Sequence, residues 1–98
     1  MKPPVFIGDE HWATGFRLAG VTAWPVAPGR EEEAFAHACA EAGVVLVDAR
    51  CAQRLPADVL AAALEAGRPP VLVLPERPGM PPPGDPAAAV RRLLGLGS

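Results

Sequence analysis

Apolar positions along this chain follow two alternating rhythms. Short unbroken runs occur at residues 5–7, 44–47 and 71–74, with a looser one at 22–26. Runs of that length without polar alternation fit strands buried on both faces of a parallel sheet. Between them the apolar residues recur at helical spacing. Trp12, Phe16 and Ala19 share one face of a helix over 10–19. Ala34, Ala38 and Ala42, with Phe35 and Cys39 beside them, do so over 30–42. Val59, Leu60, Ala63 and Leu64 form the third stripe, over 56–66. A last stripe of Val90, Leu93 and Leu94, extended by Leu96, has Arg91 and Arg92 on its other side. Each face of this kind must be buried against another layer.

The boundaries carry their own chemistry. Asp9 is placed to cap the first helix, and Glu10 puts negative charge where the helix dipole favours it. Glu31, Glu32 and Glu33 load the first turn of the second helix in the same way, and read as a solvated helix start. Gly20, Gly43 and Gly67 stand where the three helices should stop. Gly15, inside the first helix and next to Phe16, suggests the close approach of another backbone. Pro56 suits a first helical turn, as does Pro86 behind the capping Asp85.

Strand and helix thus alternate through four strands, and right-handed crossovers give a parallel sheet with helices on both faces. Pro25 cannot donate to a sheet ladder, so strand two belongs at an edge. The expected order is 2-1-3-4, an α/β fold of Rossmann-like or flavodoxin-like type. Residues 1–77 form this domain, 78–85 a stiff proline-rich connector, and 86–98 a short C-terminal helix.

Length and composition narrow the classes. With 98 residues the chain makes one domain, and half of them are hydrophobic, so it folds rather than staying disordered. A net charge of −2 gives no electrostatic reason for nucleic acid or an anionic membrane as partner. No apolar run is long enough to span a bilayer, and MKPPVFIGDE lacks a signal-peptide core, so a cytoplasmic location without membrane insertion is expected. Cys39 and Cys51, in a chain without an export signal, are expected to be free thiols.

Candidate chemistry is sparse. A nucleotide would sit at the carboxyl ends of strands one and three. The turn there, GDEHWATG, lacks the G-x-G-x-x-G spacing, lacks G-K-[ST], and presents acids that repel a pyrophosphate. His37 and Cys39 are two apart on a helix and point away from each other, which argues against a shared metal. Cys51 has no base nearby in sequence, and Ser98 is the sole serine. No cofactor, metal or catalytic residue is therefore expected. Arg17 is the polar residue that stands out, either in a salt bridge on the flank of the first helix or in contact with a partner.

Two resemblances bear on function. Gly8, Asp9, Glu10, Thr14, Gly15, Phe16, Arg17, Leu18, Ala19, Gly20 and Val21 match without a gap the N-terminal signature of the F subunit of the rotary V/A-type ATPases and ATP synthases. REEEAFAHA, VVLVDA, PVLVLPERPG and GDPAAAVRRLLG resemble later parts of that family more loosely. The resemblance implies a non-catalytic central-stalk subunit that binds the D subunit, the coiled-coil shaft, alongside other stalk subunits. It also implies that the last helix lies against the shaft, with Val90, Leu93 and Leu94 as its apolar side and Arg91 and Arg92 meeting acids. The connector here is unusually rich in proline and the last helix short, and an isolated helix of this length is marginal in water. The alternative is a receiver-like or small-molecule-sensing domain. Asp9 and Glu10 after strand one, with Asp48 ending strand three, resemble the acidic magnesium pocket of response-regulator receivers. That pattern stops at Leu74 and Pro75, with no hydroxyl there and neither the fifth strand nor its lysine beyond.

Overall fold

The computed structural model describes residues 2–74. The connector over 78–85, the helix expected over 86–98 and its residues Val90, Arg91, Arg92, Leu93 and Leu94 lie outside the described residues. Within them the chain runs β1 (Pro4–Gly8), α1 (Glu10–Leu18), β2 (Thr22–Pro25), α2 (Glu31–Glu41), β3 (Val44–Asp48), α3 (Ala49–Gln53), α4 (Ala57–Ala66) and β4 (Val71–Leu74). The four strands form one parallel sheet in the order β2-β1-β3-β4. Ile7 in the middle of the sheet is level with Trp24 on one side and Val47 on the other. Pro25 ends the outer strand β2, where its missing N–H costs no ladder bond on the open side.

The pleat divides the apolar side chains into two clusters. On one face Val5, Ile7, Val45, Val47 and Val71 pack against Phe35 and Ala38 of α2, Ala42 just after it, and Cys51 and Ala52 of α3. On the other, Phe6, Ala23, Leu46 and Leu74 pack against Ala13 and Phe16 of α1, with Trp12 and Ala19 alongside. Thus α1 covers one face, and α2, α3 and α4 serve the other. The Phe6 and Phe16 rings stack with centroids 4.5 Å apart, and such pairs add about 1 kcal/mol beyond the area they bury. Gly15 is buried within α1.

Three sequence expectations change. First, α3 was not anticipated, because its five residues carry no apolar period and only Asp48 marks the start. Second, Leu64 does not join the buried face of α4. It is 49 % exposed, while Val59, Leu60 and Ala63 reach the core only in part. No residue of α4 is fully buried. Third, β4, the edge strand among the described residues, is not buried on both faces. Leu72 is 55 % exposed and Val73 40 %. The second helix does stop just before Gly43, as expected: Ala42, already extended, closes it, and a Cβ on Gly43 would overlap the Lys2 carbonyl.

Candidate functional site

The sheet order reverses between β1 and β3, so the chain leaves their carboxyl ends toward opposite faces and a crevice lies between the exits. It has a volume of about 200 Å³ and a polar lining that includes Asp9, Glu10, Glu31, Asp48, Arg50 and Arg54. Asp48 stands at its centre and is buried. One carboxylate oxygen accepts the backbone N–H of Asp9 across the sheet, and the other accepts that of Cys51 at 2.7 Å. The second bond caps α3. One side chain therefore fastens the exit of β1 to the exit of β3. Gly8 makes this possible: its φ of +148° is open to glycine alone, and a Cβ there would overlap the Asp48 carboxylate.

The acids of this crevice are not assembled around a cation. Asp9 occupies the cap position of α1 but makes no side-chain cap bond, contrary to expectation; its carbonyl receives Ala13 N–H at 2.8 Å instead. Glu10 turns outward to Arg17, 2.9 Å away. Both oxygens of Asp48 already accept backbone N–H groups. Among the described residues no group of three or more His, Cys, Asp and Glu side chains could hold a metal ion. The receiver-like arrangement of Asp9, Glu10 and Asp48 is thus not assembled, although the sequence brings the three acids to one end of the sheet.

Glu31 departs from the solvated helix start expected of the glutamate triplet. It is buried, accepts Gly29 N–H at 3.0 and 3.2 Å, and faces Arg54 at 3.4 Å. Its own backbone N–H, then Arg54 and Gly29 N–H, outweigh the effect of burial and hold its carboxyl below the usual carboxylate range. Glu32 and Glu33 are exposed, and Glu33 pairs with Arg30. The signal for Glu31 lay in the turn: Pro28 and Gly29 fold the chain back so that the first glutamate of the helix meets a free N–H.

The other residues singled out in the sequence are separated. Arg17 lies on the exposed flank of α1, where its guanidinium meets Glu10 at 2.9 Å and Thr14 and the Ala23 carbonyl at 3.5 Å. Being exposed, the ion pair is worth about 0–1 kcal/mol. His37 is exposed and sets its ring edge-on to Trp24 at 5.0 Å. Both thiols are free. Cys39 packs beside the core, and burial raises its pKa. Burial, with Asp48 and Glu31 nearby, pushes Cys51 up to about 11, so this thiol is protonated at neutral pH and is a poor nucleophile. Arg17 is thus the one expected partner-facing residue within the described part.

No helix among the described residues is long and apolar enough to cross a membrane. No curated protein sequence gives a significant match to the chain. The sequence model of the ATP synthase (F/14-kDa) subunit matches residues 5–92, a span that takes in the whole sheet but for Pro4 and reaches Arg92. The chain, with its parallel 2-1-3-4 sheet and the Gly8–Val21 signature on β1 and α1, belongs to the ATP synthase (F/14-kDa) subunit family.

Proposed function

We propose that the chain is a non-catalytic central-stalk subunit of a V/A-type ATPase or ATP synthase. It binds the D subunit, the coiled-coil shaft, and helps couple ATP hydrolysis or synthesis to ion transport. It does so on the cytoplasmic side, peripheral to the membrane and beside the other stalk subunits. The observation that carries this reading is the family match, which extends past β4 to include Val90, Arg91 and Arg92. The chemistry within the described residues agrees with it. At the switch-point crevice both Asp48 oxygens are taken up by bonds that fasten the fold, and Cys51, beside it, is held as the thiol. In this reading Val90, Leu93 and Leu94 lie on the shaft and Arg91 and Arg92 meet its acids. Arg17, bonded to Glu10 and Thr14, supplies a further contact from α1. A side chain already ordered loses less entropy when it meets a partner.

The test is co-purification with the shaft protein encoded in the same genome, sized by light scattering. A one-to-one complex is expected. Leu93→Asp, or removal of residues 85–98, should weaken it at least tenfold, and Arg17→Ala by a smaller factor. Absence of any complex across a range of salt concentrations would overturn the stalk reading. Magnesium titration monitored by Trp fluorescence would then test the acidic crevice at Asp9 and Asp48.

A further inference from the structure

We draw no further inference here: the strongest candidate, the apolar flank of the sheet at β4 where Leu72 and Val73 stand exposed, carries nothing because nothing in the structure shows what covers it.

Discussion

Asp48 shows how one side chain closes the end of a parallel sheet. Strands β1 and β3 are adjacent, but the chain leaves them in different directions, so no ladder bond can join their exits. The carboxylate does so instead, with one oxygen for each side. Hydrogen bonds to a charged acceptor are stronger than neutral ones, and a donor left without a partner costs more than the bond returned. Asp48→Ala should therefore destabilise the fold by about 3 kcal/mol, and Asp48→Asn by roughly half as much, since the amide keeps one acceptor. Urea unfolding at constant slope would measure both. Equal stability of all three proteins would show that water replaces the carboxylate without loss. The sequence placed Asp48 at a strand end and at the start of the next segment. It did not reveal the second bond, because Asp9 lies 39 positions away.

Glu31 is the residue most easily misread. In a triplet of glutamates at a helix start the default is three solvated carboxylates, and two of the three conform. The first is folded under by the Pro28–Gly29 turn and meets Gly29 N–H and Arg54. Because its pKa is lowered in the fold, its contribution is complete above its unfolded value near 4.5 and is lost as pH falls through the lower folded value. The stability gap between the native chain and Glu31→Gln should accordingly shrink as pH is taken from about 6 to about 3. Glu32→Gln, its exposed neighbour, should show no such trend. Thermal melts at stepped pH would separate the two.

At the scale of elements, position in the sheet outweighs the apolar pattern. β3 and β4 read alike as VVLV and VLVL, yet among the described residues β3 lies between two neighbours and β4 has one. Leu46 is 4 % exposed and Leu72, its register partner on the same face, 55 %. Leu46→Ala should cost about 3 kcal/mol, whereas Leu72→Ala should cost less than about 1 kcal/mol, because the methyl groups it loses are half in water already. Comparable losses at the two positions would mean that Leu72 is covered in solution. The same argument applies to α4, whose stripe is as regular as that of α1 while its Leu64 remains half exposed. Periodicity shows that a face is apolar, and the layer it meets decides how far that face is buried. The small helix α3 escaped the periodic reading because five residues do not complete two turns, and a capping aspartate alone does not distinguish a helix from a turn.

For the whole molecule, a single sheet shared by two apolar layers should make folding cooperative. Trp12 packs with Phe16 on the α1 side, and Trp24 packs against the cluster on the α2 side. Neither layer persists without the strands between them. Single-tryptophan variants, Trp12→Phe and Trp24→Phe, should each show one urea transition whose midpoint coincides with that from far-UV circular dichroism of the same variant. A lower midpoint from one tryptophan would show that its layer opens before the sheet does.

Among the described residues, the sequence by itself determined every element but α3, together with the parallel order and the family. Unbroken apolar runs, helical stripes and Pro25 at an edge are local signals, readable within a few residues, and the signature over Gly8–Val21 is contiguous. Tertiary structure alone decided which apolar residues are buried and which acid of the glutamate triplet is engaged. It also decided that Asp48, at the sheet end, is fastened to backbone N–H groups rather than opened to a cation. These depend on groups brought together from distant parts of the chain, as Asp48 and Asp9 are, or Arg54 and Glu31. Burial and hydrogen bonding are properties of neighbours in space, and no spacing along the chain encodes them.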